Sequence, residues 1–230
     1  MNRTFSRLFA GLALGGLIHA GLAGATVMTS RTNSIEALVD GSSDTRTVSV
    51  GAGDIFGGQN LLSGITLSAT FIKCADLVGA PLPANCDAGL GPAYASEIIL
   101  RLISPTGTEI SLVEADRYFG PGANDPDPGK LITVLFDDTA LSLVGDSGFE
   151  SGSFLPLESL GFLLGETVLG DWTLYIEDNS AGAPLGLVSF TLNLAVPDRV
   201  VSGVAEPGTF ALMALGLLGI ARRRRSPAGR

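Results

Sequence analysis

Apolar and polar side chains alternate with a period of two in four segments of the chain. Such alternation places one face of a β-strand on a core and the other face toward water. The apolar positions of the four segments are Ile65, Leu67, Ala69 and Phe71; Ile98, Leu100 and Leu102; Trp172, Leu174 and Ile176; and Phe190, Leu192, Leu194 and Val196.

Turn residues separate these segments. Ser104-Pro105-Thr106-Gly107 has Pro at the second and Gly at the fourth place of a type I turn, which predicts a hairpin leading into Glu109–Val113. No stretch between residues 26 and 200 keeps a helical period, and Leu157–Leu164 is the nearest candidate for a helical turn. The pattern predicts an all-β body over 26–200, a β-sandwich large enough to bury its own core.

Composition narrows the class of protein. Hydrophobic residues make up 46% of the 230-residue chain and charged residues 16%, which excludes a disordered chain. Residues 26–205 hold seven Lys/Arg against 22 Asp/Glu, a net charge of −15. Because nucleic acids are bound through clustered Lys/Arg, we expect no nucleic-acid partner. The remaining basic residues flank apolar runs at the two ends, which is typical of membrane targeting.

The N-terminal end has the pattern of a secretory signal peptide. Arg3 and Arg7 precede a 15-residue apolar run, shorter than the ~20 residues that span a bilayer. Ala23 and Ala25 supply the small side chains that signal peptidase accepts. Residues 1–25 are therefore predicted to be a signal-peptide helix removed on export, with a retained membrane anchor as the alternative.

The C-terminal end is a tail of three parts. The pair Glu206 and Pro207 is followed by 14 uncharged, mostly apolar residues and then by a basic stop. The basic stop consists of Arg222, Arg223, Arg224 and Arg225. The apolar part predicts a short hydrophobic helix that inserts into the inner membrane, with the arginines holding its end on the cytoplasmic side.

This tail resembles the PEP-CTERM sorting signal of Gram-negative bacteria over residues 204–225, which leaves 226–230 as a terminal extension. Ala205 replaces the first proline of the family's Pro-Glu-Pro motif, while Glu206 and Pro207 match. The resemblance implies transient membrane anchoring and cleavage near Glu206-Pro207 by an exosortase. It also implies delivery to the cell surface or the exopolysaccharide matrix. A plain C-terminal membrane anchor is the alternative.

The body resembles a second known module across residues 61–196. Residues 98–108 fit its "strand, Ser-Pro-x-Gly-Thr, strand" hairpin, 170–178 its Gly-x-Trp-x-Leu-x-Ile-x-Asp strand, and 185–194 its closing strand. The module is the P domain (P/Homo B) of subtilisin-like proprotein convertases. The resemblance implies a jelly-roll-like β-sandwich that is not itself catalytic. Residues 73–95 depart from the family as a longer insertion that holds both cysteines.

Cys74 and Cys86 are the two cysteines of the chain. In an oxidising compartment two cysteines this close are expected to pair as a disulfide. A reactive or metal-binding thiol is the alternative, although two cysteines without a histidine give zinc too few soft ligands.

Acidic side chains leave Ca²⁺ as the one cofactor to consider, because calcium prefers hard oxygen ligands in Asp-rich loops. Asp125 and Asp127 lie in a loop with two prolines and lack the closing Glu of an EF-hand. The resemblance to P domains, some of which bind calcium, points to Asp171 or Asp178 as ligands. A solvated acidic surface is the alternative reading of the same residues.

Residues for catalysis are scarce. The one histidine, His19, lies within the predicted signal peptide, so the mature chain has no Ser-His-Asp or Cys-His system. Acidic residues are abundant, but nothing sets two of them apart as a glycosidase pair. We therefore expect no catalytic residues and no enzyme.

The expected function is that of an exported structural or adhesive protein. Signal peptidase and exosortase would be its processing partners, and extracellular polysaccharide or surface proteins its later contacts. A calcium- or polysaccharide-binding module and an accessory to a separately encoded hydrolase are the alternatives.

Overall fold

The computed structural model describes most of the body of the chain. The described residues are 26–55, 59–77, 82, 84, 86–87, 93–118, 128–146 and 148–198. The predicted signal-peptide helix and sorting helix lie outside them. Within the described segments, no helix is long and apolar enough to cross a membrane.

Twelve strands are present in the described residues. In chain order they are β1 Thr26–Asn33, β2 Ala37–Val39, β3 Ser43–Val50, β4 Gly64–Lys73, β5 Asp76–Leu77, β6 Cys86–Asp87, β7 Ile98–Ile103, β8 Glu109–Val113, β9 Leu131–Phe136, β10 Gly152–Phe154, β11 Gly170–Asp178 and β12 Leu185–Pro197.

Two sheets face each other. The larger sheet has the order β1-β12-β4-β9-β10, with β2 also on β12, and the smaller sheet has the order β3-β11-β7-β8. The chain crosses repeatedly between the two sheets, and the two orders together are those of a jelly roll built from two Greek keys. The prediction of an all-β, jelly-roll-like sandwich is confirmed.

The core lies between the inner faces of the two sheets. The period-two positions of the four predicted strands supply much of it, with Trp172, Leu100, Leu67 and Leu192 all fully buried. The Trp172 indole N–H donates a hydrogen bond of 3.0 Å to the carbonyl oxygen of Val168, so its polar atom is satisfied inside the core.

The predicted hairpin joins β7 to β8, which pair antiparallel. The amide of Gly107 donates to the carbonyl oxygen of Ser104 at 3.0 Å, which closes the turn, and Gly107 has a φ of +88° that suits glycine. Glu166 holds this turn from outside, accepting hydrogen bonds of 2.5 Å from both Thr106 and Thr108.

The predicted helical turn is also present, as a 3₁₀ turn over Leu160–Leu163. The strands of residues 26–50 and the strand Leu131–Phe136 were not among the predicted ones. The strand Ser43–Val50 buries only Val48 and Val50. The strand Leu131–Phe136 is apolar on both faces except at Thr133, so neither strand shows a clear period of two.

Candidate functional site

The outer face of the larger sheet carries nine neutral polar side chains, called here the hydroxyl face, beside the apolar side chains of Met28, Leu131 and Leu135. Strand pairing sets its members side by side in three rows. The rows are Ser30, Asn193 and Thr66; Thr32, Thr191 and Ser68; and Ser189, Thr70 and Thr133. None of these nine positions carries a charge.

Side chains within the hydroxyl face bind one another across the strands. The hydroxyl oxygens of Thr32 and Thr191 lie 2.8 Å apart, and those of Thr70 and Thr133 lie 2.9 Å apart. These contacts orient the four threonine hydroxyls toward one another across the strands. Each hydroxyl keeps spare hydrogen-bonding capacity, because it has one donor and two acceptor lone pairs.

The outer face of the smaller sheet differs because it carries charges. Arg101 forms ion pairs with Glu109 and Glu114, each with a shortest N–O distance of 3.2 Å, and its guanidinium lies 5.7 Å from the ring centre of Tyr175. Partial burial opposes ionisation of Glu114, but hydrogen bonds from Ser111 and Arg101 outweigh it and lower its pKa. Of the two outer faces, the hydroxyl face is therefore the one suited to a neutral, hydroxyl-bearing ligand.

A buried ion cluster lies where the two sheets meet. Lys73 ends β4 and Asp178 ends β11, and the side chains of both are fully buried. The Lys73 Nζ lies 2.7 Å from Asp178 Oδ2 and 3.0 Å from Oε2 of Glu97, which stands just before β7. The Lys73 ammonium thus forms ion pairs with two carboxylates, those of Asp178 and Glu97.

Burial raises the pKa of Asp178 from its ordinary 3.8 to about 6. The Lys73 ammonium acts in the opposite direction, and the nearby Glu97 carboxylate raises the pKa further. The second oxygen of Asp178 is 3.4 Å from the amide of Ser180, so the carboxyl group is enclosed by protein on both sides.

The two calcium candidates do not come together. Asp171 lies on the outer face at the start of β11, where it accepts a 2.5 Å hydrogen bond from Ser49, and Asp178 points inward at the other end. Six residues of strand lie between them, and the seven-position step spans about 23 Å, so one cation does not contact both. Among the described residues, no group of three or more His, Cys, Asp or Glu is arranged to hold a metal ion.

Cys74 and Cys86 form a disulfide, with a Cα–Cα distance of 5.2 Å. The bond joins the end of β4 to β6, and Cys74 packs with Ile72 and Leu82 in a small apolar cluster apart from the main core. The predicted insertion is thereby fastened to the sandwich.

The remaining predicted site residues lie outside the described residues. They are Ala23, Ala25, Asp125, Asp127, Glu206, Pro207, Arg222, Arg223, Arg224 and Arg225.

Sequence reasoning missed both the hydroxyl face and the ion cluster. A signal for the second was present, because Lys73 directly follows the apolar residues Phe71 and Ile72 in a strand pattern. A lysine at such a position is expected to be buried only with a partner. The partner positions, 97 and 178, become visible only after the two sheets are assembled.

Comparison with known proteins identifies the C-terminal tail. Residues 204–225 match the PEP-CTERM protein-sorting motif. The chain thus carries the signal of an exported, cell-envelope-associated protein that exosortase processes, and this prediction is confirmed. No curated protein matches the chain.

Two solved structures are similar to the body at low identity. The Aeromonas sobria serine protease in complex with the chaperone ORF2 is 11% identical, with a TM-score of 0.41 over 76% of this chain and 28% of that chain. A second crystal structure of serine protease of Aeromonas sobria is 11% identical, with a TM-score of 0.37 over 75% of this chain and 27% of that chain. The chain therefore spans less than a third of the length of either protease chain.

Proposed function

We propose that this exosortase-sorted chain is a non-enzymatic structural or adhesive protein of the cell surface or extracellular matrix, and that its hydroxyl face contacts extracellular polysaccharide. The PEP-CTERM motif at residues 204–225 is the observation that carries the proposal. The motif supports export to the cell envelope, and we propose that the protein there meets extracellular polysaccharide.

The chemistry of the hydroxyl face supports a polysaccharide as the ligand. Sugar hydroxyls both donate and accept hydrogen bonds, and Ser, Thr and Asn side chains offer both roles. A net charge of −15 over residues 26–205 disfavours acidic partners through long-range repulsion, so a neutral polymer fits best.

The likeness of the body to a P domain is part of the same proposal. The hairpin motif of residues 98–108 forms β7, its turn and the approach to β8, and the two later motifs form β11 and β12. A P-domain-like sandwich gives a rigid, non-catalytic support. The scarcity of catalytic residues in the sequence favours the same role.

A pull-down with exopolysaccharide from the native host tests the ligand. Thr70→Val and Thr191→Val each remove hydroxyls from the face while keeping the side-chain shape. Each lost hydrogen bond is expected to cost about 0.5–1.5 kcal/mol, which is about a 2- to 13-fold loss of affinity.

Thr47→Val and Thr173→Val are the matched controls, because these threonines form the same kind of cross-strand pair at 3.0 Å on the smaller sheet. We expect the controls to bind like the wild type, with or without a calcium chelator. The proposed ligand would be contradicted if the control variants lost as much affinity for exopolysaccharide as the hydroxyl-face variants, or if the wild type did not bind it.

A further inference from the structure

The buried ion cluster contains the groups needed for a covalent bond between the two sheets. Lys73 Nζ is a nucleophile when it is neutral, and it lies 2.7 Å from a carboxyl oxygen of Asp178. Both side chains are fully buried, and a low dielectric penalises charged groups in general. Glu97 lies 3.0 Å from the same nitrogen, within the distance required of a general base.

We propose that Lys73 and Asp178 condense into an intramolecular isopeptide bond, with Glu97 as the catalytic residue that carries the proton. The neutral Nζ attacks Cγ of the protonated Asp178 carboxyl group, forming an N–C bond. Glu97 takes a proton from the nitrogen and delivers it to the departing hydroxyl, which leaves as water. An amine and a carboxylic acid thus become an amide and water, without redox change, and Glu97 returns to its starting state.

The fold supplies what this reaction needs. The fold brings the last residues of β4 and β11 into contact inside the protein, and fixed reactants in contact reach very high effective concentrations. A pKa of about 6 for Asp178 provides a share of the protonated acid near neutral pH. A site closed to solvent disfavours the reverse hydrolysis.

The bond would connect the last residues of two strands from different sheets. The two residues are 105 positions apart in sequence, so the bond would close a covalent loop that contains β5 to β11. It lies next to the disulfide at Cys74, and together the two bonds would fix the end of β4. This inference does not rest on the proposed function.

Mass spectrometry of the full chain after reduction tests the bond. The wild type is expected to be lighter than its sequence by the mass of one water. Trypsin is expected not to cleave after the acylated Lys73, so a branched peptide should join residues 47–101 to residues 131–199. An intact mass equal to that of the sequence, together with recovery of peptide 47–73 on its own, would overturn the proposal.

Two variants test the roles of the residues. Glu97→Gln is expected to fold, as judged by circular dichroism, and to keep the full mass. Loss of water in Glu97→Gln would overturn the role of Glu97. Asp178→Ala is also expected to keep the full mass, and a water loss there would overturn the assignment of the bond.

Glu114→Gln is the matched control, because it removes a carboxylate paired with Arg101 on the outer face. It is expected to lose one water like the wild type. A full mass in this control would contradict the assignment of the reaction to the buried cluster.

Discussion

Removal of the disulfide by Cys74→Ala/Cys86→Ala should lower the stability of the whole sandwich. The two cysteines are 12 positions apart, and the ring that they close has a chain-entropy contribution of about 3 kcal/mol. For a domain of this size, that loss corresponds to a fall in melting temperature of about 6–12 °C.

The effect should reach the whole domain because of where the bond lies. Cys74 is fully buried and follows directly on Lys73, the last residue of a central strand of the larger sheet. Its amide also donates a 2.9 Å hydrogen bond to the carbonyl oxygen of Pro184, just before β12. Loosening this end therefore weakens the pairing of β4 with β12.

Thermal unfolding followed by circular dichroism, with and without reductant, is the assay. The reduced wild type should melt close to the double variant, and the double variant should not respond to reductant. A melting temperature of the oxidised wild type within about 2 °C of the variant would refute the reasoning, because it would show that the insertion opens independently of the sandwich.

Three further changes have defined outcomes. Lys73→Met should cost about 3–5 kcal/mol in urea unfolding, because it leaves the carboxyl group of Asp178 buried without the Lys73 nitrogen that it pairs with or is bonded to; a loss under about 1 kcal/mol would count against the buried cluster. Glu166→Gln should cost about 1–3 kcal/mol, because the native carboxylate accepts hydrogen bonds from two threonine hydroxyls. Partial burial opposes ionisation of Glu166, but hydrogen bonds from Ser104, Thr106 and Thr108 outweigh it and lower its pKa below the usual 4.5. The ionised Glu166 therefore stabilises the fold above that pH, and this stabilisation is lost as the pH falls through the folded pKa. Urea unfolding at a series of pH values should show that the difference in free energy of unfolding between the wild type and Glu166→Gln becomes smaller below pH 4.5. A difference that becomes larger there would contradict the role given to the Glu166 carboxylate. Gly145→Ala should lower the melting temperature more than Gly165→Ala does. Both glycines have a positive φ (+85° and +87°), but the new Cβ at 145 would lie 2.5 Å from a backbone carbonyl oxygen, while that at 165 meets nothing within 4 Å. Equal falls in melting temperature would show that backbone strain alone sets the cost.

The sequence predicts best the strands that bury one face and expose the other. Around Trp172 and Leu192, one face of each strand is buried and the other faces solvent, so apolar and polar residues alternate in the sequence. Ser43–Val50 is an edge strand with little to bury, and its largely polar sequence gives a weak signal.

The site could be predicted only in its local parts. The disulfide could be predicted because two cysteines lie close in the sequence of a chain expected to reach an oxidising compartment. The sorting tail could be predicted because its three parts are contiguous in sequence. The buried cluster and the hydroxyl face are assembled from distant strands, and their register depends on the packing of the whole jelly roll. Neither has a sequence motif of its own.

The masses of the two termini test the central claim most directly. The protein would be recovered from cytosol, membranes and medium of its native host, and each fraction measured intact. We predict a form in the envelope or the medium that lacks residues 1–25 and ends near Glu206-Pro207. A protein that keeps its tail through Arg225 in the membrane fraction, or that keeps residues 1–25 in the cytosol, would contradict the account.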